Sequence, residues 1–148
     1  LLNFFKSKLS DLEAAASRFN DRETAEGIVA VMTGTAYADG ELEESEKKKL
    51  VGGFKINPIL KQYDQSILFA KHRELAEQLE FDVDSGFDAC LKELRDVVSR
   101  GASEEKRIAI MRMGVATAKA DGEIEPAERT FLLKCASVLG VAADQVGL

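Results

Sequence analysis

Apolar residues recur along this chain at intervals of three and four, with almost no alternation of period two, so the pattern predicts helix nearly throughout. "LLNFFKSKLSDLEAAASRF" reads as a weaker amphipathic helix. Its Phe4, Phe5, Leu9 and Leu12 are expected to dock on the rest of the protein or the segment to be partly disordered, with a membrane surface as the alternative. Asp21 is placed to cap a second helix whose Ala25, Ile28, Val29, Met32 and Ala36 form one stripe. Leu50, Val51 and Phe54 carry a third, which ends near Pro58 because the residue before a proline is pushed out of the α region. Asp64 opens a fourth, with Ile67, Leu68, Leu75 and Leu79 inward, and "FDVDSG" breaks it. Phe87, Cys90, Leu91, Leu94, Val97 and Val98 form the clearest stripe, which Gly101 stops. Ser103 caps the next helix, with Ile108, Met111, Val115 and Ala118 inward. The last begins around Pro126, carries Phe131, Leu132, Cys135, Val138 and Leu139, and ends at Gly140. The expected class is all-α, with an N-terminal helix or arm over residues 1–19 and a helical domain over 20–148.

Two of these helices run into the same acidic loop. Set over one another, "AYADGELEESEKKKL" (36–50) and "AKADGEIEPAERTFL" (118–132) share eight of fifteen residues at a constant offset of 82, without a gap. Chance identity over such a window is about one residue at ordinary frequencies. The chain therefore contains an internal repeat, a helix–acidic loop–helix unit used twice.

The repeat gives chemistry to residues that would otherwise be bland. Asp39 and Asp121 each precede a glycine suited to a left-handed helix terminus, Gly40 and Gly122. A carboxylate at a helix C-terminus is repelled by the dipole, by about 0.3–1 kcal/mol. Glu46 and Glu128 follow seven residues later, in the favourable first turn of the next helix. The helices entering the loops are rich in small residues, "TGTAYA" and "GVATAKA", which permit close approach. Packing of the two units about a pseudo-two-fold axis is expected to bring Asp39, Glu46, Asp121 and Glu128 together. Four carboxylates in one place repel one another unless a cation binds. All-oxygen ligation suits Ca²⁺, Mg²⁺ or Mn²⁺, with Zn²⁺ an outside candidate because it prefers nitrogen or sulfur. The loop is not an EF-hand, since its glycine follows the first Asp directly. The alternative is that both loops are solvated helix connections.

Composition narrows the partners. The 148-residue chain is 45% hydrophobic, enough for a core, and carries a net charge of −6, which disfavours nucleic acid. No apolar run approaches the length of a membrane span, and "LLNFFKSKLS" lacks the apolar centre of a signal peptide, so a cytoplasmic protein is expected. Cys90 and Cys135 sit at helical spacing among apolar residues and are expected to be buried thiols. His72 falls near the inward stripe of its helix and is expected to be structural. Lys47, Lys48 and Lys49 make a basic strip that is either a solvated face or a docking surface for an acidic partner. There is no Ser–His–Asp or Cys–His pattern and no Gly-rich phosphate loop.

The doubled motif ADGE-(L/I)-E-x-x-E resembles the TerB family of tellurite-resistance proteins, over most of the chain from about Asp21 to the C-terminal "VGL". The resemblance implies a compact bundle of about seven helices with two-fold pseudo-symmetry, and a metal site at Asp39, Glu46, Asp121 and Glu128. It also implies a stress-response role through protein partners, in the cytoplasm or peripherally at the inner membrane face, without enzymatic activity. A metal-dependent hydrolase and a purely structural interaction domain without metal are the alternative readings.

Overall fold

A computed structural model of the chain describes residues 2–119 and 122–148, residues 2–8 as backbone alone. It is all-helical. Helices α1 (Leu2–Arg18), α2 (Arg22–Ala36), α3 (Glu44–Ile56), α4 (Gln65–Phe81), α5 (Val83–Ser99), α6 (Glu104–Ala118) and α7 (Pro126–Leu139) follow in order, with 3₁₀ turns at Leu60–Gln62 and Ala143–Val146.

The starts and stops follow local chemistry. Asp64, Asp82 and Ser103 each accept a backbone N–H from the first turn of the helix they cap. Asp82 ends α4 and begins α5 at once, so the break expected over "FDVDSG" is a single residue. Asp21 stands at the N-cap of α2, but its side chain is engaged elsewhere. It accepts from the Thr24 hydroxyl at 2.5 Å and from Lys106 Nζ at 2.7 Å, which ties α2 to α6. Gly140, left-handed at φ 68°, closes α7 as the pattern predicts.

Helix α2 is the centre of the molecule and packs against α4, α5, α6 and α7. From Gly27 to Thr35 every residue is buried, so it has no outward face and the single stripe expected for it is too narrow. Close approach is achieved through glycine. Gly114 of α6 lies on Val31 of α2, Gly27 of α2 on Ile110, and Gly34 of α2 under the ring of Phe131. The small residues read from the sequence thus do bring helices together. Phe54, Leu68, Leu75, Leu94, Ile110, Met111, Met113, Leu132 and Leu139 complete the core. Val98, expected inward, is 39% exposed at the end of the α5 stripe.

Helix α1 packs along α6 through its C-terminal half. Ala16 is buried, Leu12 and Ala15 lie against the core, and Arg18 pairs with Glu105 at 2.6 Å. Leu9 is 38% exposed, and the side chains of Phe4 and Phe5 lie outside the described residues. Among the described residues no helix is long and apolar enough to cross a membrane.

Candidate metal centre

The two acidic loops begin alike. The last helical residue is Ala36 in α2 and Ala118 in α6, 82 positions apart. Gly40 N–H donates to the carbonyl of Tyr37 at 2.9 Å, and Gly122 N–H to that of Lys119 at 3.0 Å. Both glycines take positive φ, 104° and 132°, a region that disfavours other residues. Asp39 therefore does not close α2; it stands three residues past the last helical one. Dipole repulsion fades within the last turn, so it does not mark Asp39 out.

The loops also end alike. The N–H of Glu43 donates to Glu46 Oε1 at 3.3 Å, and that of Glu125 to Glu128 Oε1 at 2.8 Å. Glu46 and Glu128 are thus the third residues of α3 and α7, folding back to satisfy the free donors of a helix start. Pro126 at the first position of α7 needs no donor there.

Between the loops lies a cleft of about 360 Å³. Asp39 and Glu46 reach it from the first loop and Glu128 from the second, joined by Glu123 and Glu125. Its apolar wall is Met32, Ala36, Leu42, Leu50 and Ala118. Thr35 and Thr117, again 82 apart, line it with their hydroxyls bonded back to Val31 O and Gly114 O at 2.7 and 2.8 Å. Of the four expected site residues, three share one cleft; Asp121 lies outside the described residues. Glu123 and Glu125 were legible as the repeat partners of Glu41 and Glu43, but acid content alone did not separate them from a solvated loop. Lys49 also lines the cleft and is engaged.

Five carboxylates beside an apolar wall concentrate negative potential, and their oxygens are the donors that hard divalent cations take. The chemistry of the donor set fits such an ion. In the present arrangement, no three His, Cys, Asp or Glu side chains among the described residues form a group that could hold a metal. Each of Glu46 and Glu128 also commits one oxygen to its helix start. A bound cation would have to draw the carboxylates inward.

The other candidates resolve simply. Cys90 and Cys135 are free and fully buried. His72 is buried, with Nδ1 3.0 Å from Thr33 Oγ1 and its ring edge-on to Phe54. Lys47 is bound within the fold, to Glu80 at 2.8 Å and Glu44 at 3.2 Å, while Lys48 is exposed.

Comparison with known proteins gives one result. The family described as "Tellurite resistance protein TerB" matches residues 27–147. No curated protein and no solved structure matches the chain.

Proposed function

Since the chain belongs to the TerB family, a helical domain associated with tellurite resistance, we propose that it is a non-enzymatic divalent-cation-binding module that acts through protein partners in a stress response. The observation that carries the reading is that Asp39 and Glu46 from one acidic loop and Glu128 from the other open on a single cleft. The repeat assigns the fourth carboxylate to Asp121. Ca²⁺, Mg²⁺ or Mn²⁺ suits this donor set, with Zn²⁺ behind them. When bound, the ion neutralises the repulsion between the two loops and fixes their separation. The protein's own residues hold it, and Lys48, exposed on α3, offers a contact to an acidic partner. We place the protein in the cytoplasm, with peripheral association at the inner membrane face.

The test is thermal unfolding of chelator-treated protein titrated with each cation, wild type beside Asp39→Ala/Asp121→Ala. An ion at 100 times its Kd stabilises the folded state by about 2.7 kcal/mol. A saturating shift in wild type alone supports the cation site. A second reading is favoured by one observation, that Glu46 and Glu128 each already accept a backbone N–H at the start of their helix. On that reading the loops are solvated and the domain acts by protein contact alone, and no cation shifts the transition. A metal-dependent hydrolase would additionally require turnover in the presence of the ion.

A further inference from the structure

The turn that carries Asp39 is fastened from outside the cleft. Tyr37, 2% exposed at the end of α2, donates its hydroxyl to Glu80 Oε1 at 2.6 Å. The same oxygen receives Lys47 Nζ at 2.8 Å. Glu80, near the end of α4, thereby joins the turn holding Asp39 to the helix holding Glu46. Lys47 and then Tyr37 hold its carboxyl below the usual carboxylate range, so it is ionised throughout the physiological range.

Shifted by 82 residues, Tyr37 becomes Lys119 and Lys47 becomes Arg129. The residue types differ, yet the two positions again reach a third element. Lys119 Nζ donates to the carbonyl of Gly147 at 3.1 Å, and Arg129 Nη1 to that of Leu148 at 3.2 Å. That segment is itself anchored to α6, where Arg112 Nε donates to the Gln145 carbonyl at 3.0 Å. So the residue just after the first helix and the residue just after Glu46 or Glu128 are bound, in both copies, to one outside anchor. In the first copy the anchor is a side chain of α4; in the second it is the backbone at 147–148.

We propose that these two clamps, Tyr37–Glu80–Lys47 and Lys119–(147–148)–Arg129, are the positioning elements of the acidic cleft, each fixing the residue that enters its loop relative to the helix that carries Glu46 or Glu128. The inference rests on the cation-binding reading above. None of the five clamp side chains lines the cleft. They act through the loops. Their physical task is to hold each loop's backbone against carboxylate repulsion before an ion arrives, so that binding has only to draw side chains inward and does not have to order two loops.

The experiment uses the full chain with Ca²⁺ and Mn²⁺ as probes, binding by calorimetry and amide hydrogen exchange read separately over residues 38–43 and 120–125. Tyr37→Phe/Glu80→Gln is expected to speed exchange in the first loop only and to weaken cation affinity by about tenfold, the usual scale for a group behind a ligand. Lys119→Met/Arg129→Met is expected to do the same to the second loop only. Arg129→Lys, which keeps a donor, is expected to restore most of the affinity. Because exchange reports each loop without metal, a variant that unfolds globally is recognised by uniform loss of protection, and the single changes Tyr37→Phe and Lys119→Met then decide. Faster loop exchange with unchanged affinity would overturn the positioning role and leave the cation site standing. Failure of the wild type to bind either ion would overturn both.

Discussion

Gly114 of α6 rests directly on Val31 of α2: a methyl group added at Gly114 would meet Val31 Cγ1 at 2.5 Å. This contact joins the two helices that lead into the acidic loops. Two effects compete in Gly114→Ala. Helix propensity favours alanine by about 1 kcal/mol. Overpacking against a buried, β-branched neighbour costs about 1–3 kcal/mol. We expect the clash to win, and urea unfolding should show net destabilisation. Gly52→Ala is the control, because Gly52 lies in α3 with nothing within 4 Å of the added carbon. There only the propensity gain operates, and the variant should be more stable by about 0.4–1 kcal/mol. Equal effects at the two glycines would mean that α2 and α6 are not in such close contact.

Lys71 is the one cation sunk into the bundle, with its side chain 10% exposed among the described residues' ion pairs. It joins three helices, meeting Glu26 of α2 at 3.4 Å, Glu74 of α4 at 3.0 Å and Glu93 of α5 at 3.1 Å. Removing it leaves Glu93, mostly buried, without a counter-charge, and leaves the equally buried Glu26 with Arg22 alone, at 3.3 Å. Lys71→Met should therefore cost about 3–5 kcal/mol, the range for breaking a buried pair by deleting one partner. Glu74→Gln tests the exposed edge of the same cluster. Its side chain is 55% exposed, so the loss should stay under about 1 kcal/mol. Denaturant melts of both variants would settle the ordering, and a larger loss at Glu74 would contradict the burial argument.

The helices were legible because caps and periodicity agree along most of the chain. Asp64, Ser103, Pro126 and Gly140 mark ends that the structure reproduces, and Cys90, Leu94 and Val97 form the buried edge of α5 as expected. Periodicity failed where a helix is surrounded. In α2 the residues from Ile28 to Met32 are all apolar, so no spacing can select one face. At the site, Asp39, Glu46 and Glu128, picked out by the repeated motif, line one cleft. The repeat did not place the end of α2, which stops at Ala36 and leaves Asp39 in the turn. Nor did it reveal Tyr37–Glu80, a bond between residues 43 apart with no local pattern to announce it.

His72 should make stability fall at mildly acidic pH. Burial pushes its imidazole below the ordinary value, with the charge of Glu80 opposing the shift. The folded state thus prefers the neutral ring, while the unfolded chain takes up a proton near pH 6.5. The unfolded state then binds more protons, so stability is full above that pH and declines below it, by at most about 1.4 kcal/mol per pH unit from one group. The carboxylates with lowered values, Glu80 and Asp64 among them, act lower, below about pH 4.5 where their unfolded counterparts protonate. Chemical denaturation from pH 7.5 to 5.5 isolates the histidine. His72→Gln should flatten the slope in that window, and a wild-type curve already flat there would show that the ring titrates normally.

The two thiols should be inert in the folded protein. Cys90 and Cys135 are both fully buried, and burial pushes Cys90 up to about 12 and raises Cys135 as well. The reactive species is the thiolate, so both its population and its access are suppressed. A disulfide reagent such as dithionitrobenzoate should react at once with both groups in denaturant. In native buffer it should react only as fast as the bundle opens, and strengthening the fold with Gly52→Ala should slow that reaction if opening is global. Tellurite, a thiol-oxidising oxyanion, should likewise leave both thiols intact in the native chain. A prompt phase of one equivalent with either reagent would place a cysteine within reach of solvent and reopen direct thiol chemistry as part of what this domain does.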